Sequence, residues 1–424
     1  MKKFVALLLA LTLCIGLCAC GAQPEAPAAT DAPAAEAPAE ETPAATSETE
    51  ATTGSKDIKV GFIFLHDENS TYDLNFINAA KAACAEVGLS DDQVMMKTNI
   101  SESQACYDAA AELVDAGCDL IITDSFGHES FALAAAKEFP EVHFVSCTGV
   151  KAHTEGLSNF HNAFASIYEG RYLAGVAAGL KLNEMIENGD ITAEEAKMGY
   201  VGAFPYAEVK SGYTSFFLGA RSVCPSVTME VTFTSSWYDE ALEKEAANKL
   251  INNGCVLISQ HADSMGAPTA CETAGVPNVS YNGSTVAACP NTFIVSSRID
   301  WTPFFVYAIN CVASGEDIGY DWTGTLATGS VVLTDVNEQA AAAGTAEKIA
   351  EVMKSLEDGS LKVFDTATFT VNGETVTTYL ADVDDLGDYV GETEAISDGV
   401  FLESFYRSAP YFDLDIDGIT NLDA

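Results

Sequence analysis

Residues 58–88 read IKVGFIFLHDENSTYDLNFINAAKAACAEVG and predict a strand, a loop and a helix in that order. The run 58–65 is apolar and rich in Ile and Phe, which is typical of a buried strand. Apolar residues then recur at spacings of three and four, so they share one face of a helix over 74–88. These residues are Ile77, Ala80, Cys84 and Val87. Gly88 suits the left-handed position that ends such a helix.

This order of strand and helix recurs along the chain. Further strands in the first half are predicted at 94–97, 120–125 and 143–149, and helices at 103–117 and 129–139. The second half repeats the pattern, with strands at 198–204, 228–234, 256–261 and 278–281 and helices at 172–182, 209–223, 240–253 and 268–274. Such repeats build a parallel sheet with helices on both faces. The predicted fold class is therefore α/β, with two doubly wound parallel-sheet lobes around a ligand cleft.

The pattern also predicts how the chain is divided. Residues 1–19 have a basic start and an apolar run, as in a secretory signal peptide, and residues 20–56 are a linker rich in Ala, Pro and Glu. Lobe 1 is expected to comprise 57–165 with a return segment, 292–330, and lobe 2 to comprise 166–291. The remainder, 331–424, is expected to pack on the lobes as a helix over 345–359, a hairpin over 369–378 and an acidic tail.

Two features of the sequence bear on where the protein works and on which partners it can have. Residues 17–21, LCACG, resemble the lipobox of bacterial lipoproteins, which makes Cys20 the predicted lipidation site and Cys18 the weaker candidate. Acyl chains on Cys20 would hold the protein on the outer face of a membrane. The formal net charge of −42 disfavours nucleic acid as a partner, because phosphate backbones would be repelled.

The nine cysteines beyond the predicted linker are scattered and include no CxxC pair. This spacing supports neither a zinc site nor a redox motif. We interpret these residues as small buried side chains, with one or two disulfides as the alternative in an exported protein. No metal and no cofactor is expected.

Aromatic and short polar residues follow the predicted strands. Such segments include His66 to Phe76, Asp124 to His128, Phe204 to Tyr206, Ser235 to Asp239, Gln260 to Ser264 and Tyr281 to Ser284, with Trp301 after the last strand. In a doubly wound sheet these strand ends face the ligand. Flat apolar faces with a few donors and acceptors suit a planar heterocycle.

A resemblance rests on three motifs that occur in order. They are YEGRYLAG at 168–175, SWYD at 236–239 and QHADS at 260–264. Together they resemble the basic membrane protein family, the lipoprotein substrate-binding components of purine and nucleoside ABC importers. The similarity covers 59 to about 315. It implies a type I periplasmic-binding-protein fold, a purine or nucleoside ligand, an ABC permease as partner and a monomer on the cell membrane.

The resemblance also implies site residues. Tyr72, Phe76, Phe126 and Trp237 correspond to stacking positions, Asp263 and Asn282 to readers of the base edge or ribose, and Trp301 to a residue that closes the pocket. Family members that bind whole nucleosides usually have aspartate where this chain has Asn282, so the free base is as well supported as the nucleoside. The alternative for Phe76 and Phe126 is a place in the core, and for Asp263 a helix cap.

Two other functional classes are alternatives to a binding protein for import. A nucleoside-cleaving enzyme would need a second acidic cluster to match Asp67, Glu68 and Asp73, and the sequence contains none. No catalytic residue is therefore predicted. A sensor that signals to a membrane partner uses the same fold and remains an alternative.

Overall fold

The computed structural model describes residues 57–384 and 390–423. The predicted signal peptide, the linker and Cys20 lie outside these residues. The first part of the described chain alternates strands and helices from β1 to β5. These elements are β1 (Val60–Ile63), α1 (Thr71–Glu86), β2 (Val94–Lys97), α2 (Gln104–Asp115), β3 (Leu120–Thr123), α3 (Glu129–Glu138), β4 (His143–Cys147), α4 (Ala152–Glu155) and β5 (Phe160–Ala165).

The second part repeats this alternation. Its elements are α5 (Ile167–Asn188), β6 (Lys197–Gly202), α6 (Ala207–Val223), β7 (Thr228–Phe233), α7 (Glu240–Asn252), β8 (Leu257–His261), α8 (Gly266–Ala274), β9 (Asn278–Tyr281) and β10 (Phe293–Ile299). The remaining main elements are α9 (Thr302–Ser314), β11 (Asp321–Gly324), β12 (Val331–Leu333) and α10 (Thr345–Glu357). A strand at Ile419–Asn421 lies near the end of the chain.

The two sheets have matching strand orders. Lobe 1 runs β2-β1-β3-β4-β5-β11, and lobe 2 runs β7-β6-β8-β9-β10-β12, with Ile419–Asn421 added beside β7. The pairs are parallel except for β10 with β12. These strand orders confirm the prediction of two similar parallel-sheet lobes. Buried apolar strands that alternate with helices form such layers because the helices cover both faces of the sheet.

The return segment differs from the prediction. β10 was expected to cross into lobe 1, but it pairs with β9 inside the sheet of lobe 2. All but one of its residues are buried in that sheet. The return begins at α9, which packs on α1, and continues with β11, which pairs with β5. The chain thus passes between the lobes after β5, after β10 and after β11, which gives the molecule a multi-stranded hinge.

Helices α5 and α6 pack closely because of their glycines. A Cβ on Gly175 would lie 2.0 Å from the carbonyl oxygen of Phe216, and one on Gly219 would lie 2.0 Å from that of Tyr172. Any side chain at these positions would therefore push the helices apart. Glu169, at the start of α5, accepts a hydrogen bond from the backbone N–H of Leu326, 3.0 Å away, in the connection from β11 to β12. The beginning of this helix is thereby tied to the hinge.

The segment after β12 extends the core of lobe 2. Phe364 stacks on Phe412, Phe401 meets both rings edge-to-face, and all three join the cluster formed by α5 and α6. The predicted hairpin over 369–378 is reduced to a turn. Asn372 and Gly373 have positive φ and are flanked by one bridge between Val371 and Glu374, but no strand continues from it.

The nine cysteines of the described residues are free and buried, in agreement with their interpretation as small core side chains. Burial raises their pKa where a shift is resolved, to about 11 for Cys84 and about 12 for Cys106. The thiols whose pKa is raised are therefore poor nucleophiles at neutral pH. Among residues 57–384 and 390–423, no helix combines the length and apolar character needed to span a bilayer.

Candidate ligand-binding site

A cavity of about 360 Å³ lies between the lobes at the carboxyl ends of their strands. Residues of both lobes form its wall. Lobe 1 contributes Leu65, His66, Tyr72, Asp73, Ser125, Phe126 and Thr148, and lobe 2 contributes Glu208, Trp237, His261, Asp263 and Tyr281.

The start of α1 fixes the lobe 1 wall. Ser70 caps the helix by accepting a hydrogen bond from the backbone N–H of Asp73 at 3.2 Å. Asp73 in turn accepts a bond from the backbone N–H of His66 at 2.7 Å, which fastens the loop to the helix. The hydroxyl of Tyr72 donates to the carbonyl oxygen of Asp124 at 2.6 Å, so the ring has a fixed orientation beside the cavity.

Asp73 and Asp124 form a buried acidic pair behind this wall. Burial raises the pKa of Asp124 well above its ordinary value, and the charge of Asp73 adds to the effect. Burial alone would also raise the pKa of Asp73, but hydrogen bonds from His66 and Ser70 outweigh it and lower that pKa. Of the two carboxyl groups, Asp124 is therefore the one that holds its proton more tightly.

Trp237 belongs to an aromatic cluster on the lobe 2 side. Its ring centroid lies 5.1 Å from that of Phe204 and 6.2 Å from that of Tyr206. Its carbonyl oxygen accepts a hydrogen bond from the backbone N–H of Asp263 at 3.0 Å. The loop after β7 is thereby joined to the loop after β8, and both face the cavity.

Asp263 is a buried carboxyl group of lobe 2 that lines the cavity. Burial raises its pKa well above the ordinary value, and the charges of Glu243, Asp73 and Glu208 add to the effect. One carboxyl oxygen accepts a hydrogen bond from the side-chain amide of Asn282 at 3.2 Å. Asn282 has a φ of 65°, a left-handed conformation that asparagine tolerates. Asp263 is not a helix cap, because the next helix, α8, begins at Gly266.

A buried arginine supports the floor of the cavity. Arg171 donates to the hydroxyl of Ser259 at 2.7 Å and to the carbonyl oxygen of Ser280 at 3.2 Å. Its guanidinium lies 5.3 Å from the ring centroid of Tyr281. The ring of His261 also packs on Tyr281, with 4.3 Å between the two ring centroids. Arg171 therefore positions Tyr281 and the strands on either side of it, and it does not line the cavity itself.

The predicted site residues fall into two groups. Tyr72, Phe126, Trp237 and Asp263 line the cavity, and Asn282 supports Asp263 from behind. Phe76 and Trp301 lie elsewhere, in the core of lobe 1, where their rings stack at 4.4 Å and are almost fully buried. α9 packs on α1, and Trp301, which precedes α9, is buried in the core that the two helices share.

Several lining residues were absent from the predicted set. His66, Asp73 and Tyr281 stand in segments that the strand-end rule had selected, but no motif distinguished them from their neighbours. Glu208 lies in the first turn of α6 and accepts from His261 at 3.4 Å if that histidine donates. Thr148 follows β4 and has a φ of 66°, which a sequence pattern does not reveal.

The lobes also touch each other around the cavity. Phe126 of lobe 1 lies 5.8 Å from Tyr206 of lobe 2 between ring centroids, and His66 lies 5.3 Å from Tyr238. The backbone N–H of Thr71 donates to the carbonyl oxygen of Asp263 at 3.2 Å. These contacts cross the cleft, so the structure represents a closed arrangement of the lobes.

Comparison with known proteins identifies the family. The family model described as ABC transporter substrate-binding protein, PnrA-like, matches residues 64–361, which span both lobes. The chain belongs to this PnrA-like family. A PnrA-like protein of this kind is the solute-binding component of an ABC transporter, so it has a small-molecule ligand and a permease partner and works outside the cytoplasm. The family is a class of binding proteins and not of enzymes.

Relatives of this PnrA-like protein carry different ligand names. A purine-binding protein of Brucella abortus is 30% identical over 62% of this chain and 71% of its own length. A putative ABC transporter glucose-binding protein of Haloferax volcanii is 31% identical over 55% of this chain and 56% of its own length. A solved solute-binding protein from Conexibacter woesei shares the fold, with a TM-score of 0.58 at 20% identity, over 72% of this chain and 98% of its own.

Proposed function

We propose that the protein captures a purine base or nucleoside by stacking it between Phe126 and Trp237 and delivers it to an ABC permease. One observation carries this proposal. The two rings come from opposite lobes, and both line the same cavity of about 360 Å³. A flat ligand between them would be covered on both faces when the lobes close.

The rest of the lining suits a neutral ring with N–H donors. Asp73, Glu208 and Asp263 offer carboxyl oxygens, and among the described residues the lining includes no lysine or arginine. Anionic ligands would therefore be repelled, whereas the amino and ring N–H groups of a purine would find acceptors. Stacking contributes about 1–3 kcal/mol per base in nucleic-acid-binding proteins, so these two rings should contribute a large part of the affinity for a purine.

The purine-binding name of the Brucella relative supports this choice of ligand. The remaining predicted features belong to the same proposal: a lipid anchor at Cys20 on the cell membrane, and a monomeric protein. Two or more acyl chains would make that attachment stable. Mass spectrometry of the mature N-terminal peptide tests the anchor, and sedimentation tests the oligomeric state.

Calorimetric titration with adenine, adenosine and glucose tests the ligand class. We expect heat with adenine or adenosine and none with glucose, the ligand for which the Haloferax relative is named. Trp237→Ala should weaken purine binding at least about tenfold, about 1.4 kcal/mol, because one stacking face is lost. Trp322→Phe is the matched control, since Trp322 packs on Phe304 in lobe 1 and should leave affinity unchanged.

A wild-type protein that gives no heat with any purine or nucleoside would overturn the proposal. Equal affinities of the Trp237→Ala variant and the wild type would show that the ligand is held elsewhere.

A further inference from the structure

Glu243 of α7 connects two loops of lobe 2 that face the ligand cavity. It is fully buried, and one of its carboxyl oxygens accepts hydrogen bonds from the backbone N–H groups of Asp239 at 3.3 Å and Ser264 at 3.2 Å. Its second oxygen lies 3.2 Å from the same nitrogen of Ser264. Asp239 ends the loop after β7, and Ser264 belongs to the loop after β8. A single side chain therefore binds both loops.

These two loops carry contacts to the cavity and to lobe 1. Trp237 lies on the loop after β7 and Asp263 on the loop after β8, and both line the cavity. His66 of lobe 1 packs near Tyr238 of the first loop. Thr71 of lobe 1 donates to the carbonyl oxygen of Asp263 on the second loop. The relative position of the loops therefore sets both the ligand site and part of the closed interface.

The loop after β8 approaches α7 closely because α8 begins with a glycine. A Cβ on Gly266 would lie 2.4 Å from the carbonyl oxygen of Glu240 and 2.9 Å from the Cβ of Glu243. A side chain at this position would push the start of α8 away from α7. The glycine thus allows Ser264 to come within hydrogen-bonding distance of Glu243.

A carboxyl group is unfavourable at this buried position. Burial raises the pKa of Glu243 from 4.5 to about 7, and the charge of Asp239 adds to the effect, while the hydrogen bonds from Ser264 and Asp239 offset part of it. The charge of Glu243 also contributes to the raised pKa values of Asp263 and Tyr238. An apolar side chain of similar length would avoid this desolvation, but it could not accept the two N–H groups. Carboxyl groups with such shifted pKa values are frequent at functional sites.

We propose that Glu243 is a positioning residue for ligand capture, which holds the loops after β7 and β8 in the arrangement that brings Trp237 and Asp263 to one cavity. Glu243 does not line the cavity and acts through these two residues. The inference rests on the proposed function, because the ring of Trp237 must stack on the ligand. A site that is ordered before the ligand arrives loses less conformational entropy on binding.

Replacing the acceptor tests this proposal. Glu243→Met keeps an unbranched side chain but removes both oxygens, so it should weaken the binding of adenine or adenosine at least about tenfold in calorimetric titrations. Glu243→Gln keeps one oxygen that can accept from both N–H groups and should retain the affinity within about threefold. Glu245→Gln is the matched control, since Glu245 is exposed on the same helix and should leave the affinity within about twofold.

Two further measurements distinguish positioning from a general loss of structure. In the ligand-free protein, the amides of Asp239 and Ser264 should exchange hydrogen at least about tenfold faster in Glu243→Met than in the wild type, and at nearly the wild-type rate in Glu243→Gln. In the background of Trp237→Ala, Glu243→Met should weaken binding by less than about threefold, because the ring that it positions is absent.

The outcomes separate this proposal from the proposed function. A Glu243→Met variant with the exchange rates and affinity of the wild type would overturn the positioning role, and so would a tenfold loss of affinity in both backgrounds. If Glu243→Met does not melt cooperatively, Glu243→Leu takes its place in the same measurements. A wild-type protein that binds neither adenine nor adenosine contradicts the proposed function, whereas the exchange rates of the ligand-free variants still show whether Glu243 holds the loops.

Discussion

At the scale of single residues, Thr148 is unusual. Its φ of 66° lies in the left-handed region, which a β-branched residue rarely adopts. Its hydroxyl is buried and has no hydrogen-bond partner among the described residues. Thr148 lines the ligand cavity. Strained residues of this kind are often found at binding sites, where the surrounding structure holds them in place.

Replacing Thr148 should therefore separate stability from binding. We expect Thr148→Gly to raise the free energy of unfolding by about 1 kcal/mol, because glycine adopts this conformation without strain. The same variant should bind the ligand more weakly, since a lining side chain is lost. Denaturant unfolding and calorimetry measure the two effects.

Ser146 provides the matched control. It is buried two residues earlier, also has a hydroxyl without a partner among the described residues, and is not among those with positive φ. Ser146→Gly should lower the free energy of unfolding, because glycine at an ordinary strand position costs about 0.5–1 kcal/mol. The argument from strain would be wrong if both variants changed stability in the same direction.

At the scale of elements, the segment after α10 is attached to lobe 2 through a buried acid. Glu403 accepts a hydrogen bond from the hydroxyl of Ser211 in α6, and its second oxygen has no partner among the described residues. Burial raises the pKa of Glu403 from 4.5 to about 7, and the bond from Ser211 offsets only part of this effect. The carboxyl is therefore protonated in the folded protein at mildly acidic pH.

This attachment predicts a dependence of stability on pH. Because the folded state holds the proton more tightly than the unfolded state, the contribution of Glu403 is full below pH 4.5 and is lost as the pH rises to about 7. Glu403→Gln should remove this loss and make the protein more stable than the wild type at pH 8, by roughly 1–3 kcal/mol. Thermal melts of both proteins between pH 5 and pH 8 measure this difference in stability.

Glu374→Gln is the control for this series, because Glu374 is exposed in the same segment. Its melting curves should follow those of the wild type at every pH. Parallel curves for Glu403→Gln and the wild type would show that Glu403 does not carry the pH dependence.

At the scale of the whole molecule, two sets of contacts hold the lobes in the closed arrangement. Across the cleft, Thr71 donates to Asp263, and Phe126 packs near Tyr206. In the C-terminal segment, Ser408 donates to Asp321, and the carbonyl oxygen of Asp384 accepts from Thr154 at 2.9 Å. The second pair of contacts joins the C-terminal segment to lobe 1, so it opposes opening even without a ligand.

Asp321→Ala should therefore favour the open arrangement. It removes the acceptor of both bonds from Ser408, so the ligand-free radius of gyration should increase and the ligand should bind about threefold to tenfold more weakly. The ligand-bound radius should equal that of the wild type. Small-angle scattering with and without adenine measures both states.

Asp335→Asn is the control, since Asp335 follows β12 at the edge of lobe 2 and should leave both radii unchanged. A ligand-free Asp321→Ala variant with the compactness of the wild type would contradict a role for this contact in closure.

The sequence by itself determined the α/β class, the alternation of elements and the two similar lobes. Apolar runs bounded by glycines, and helical faces such as that of Ile77 and Ala80, are local signals that do not depend on the rest of the chain. It also selected the strand ends, because parallel strands present their carboxyl ends at one edge, and the family resemblance selected Tyr72, Phe126, Trp237 and Asp263 within them.

Only the tertiary structure decided the rest. The sequence placed β10 in the segment that returns to lobe 1, but in the structure it pairs with β9 in the sheet of lobe 2. In the sequence, Phe76 and Trp301 stand among aromatic and polar residues, as the residues that line the cavity do. In the structure they stack on each other in a core. Whether an aromatic ring faces a cavity or a core depends on which distant elements pack against it, and local periodicity contains no information about those long-range contacts.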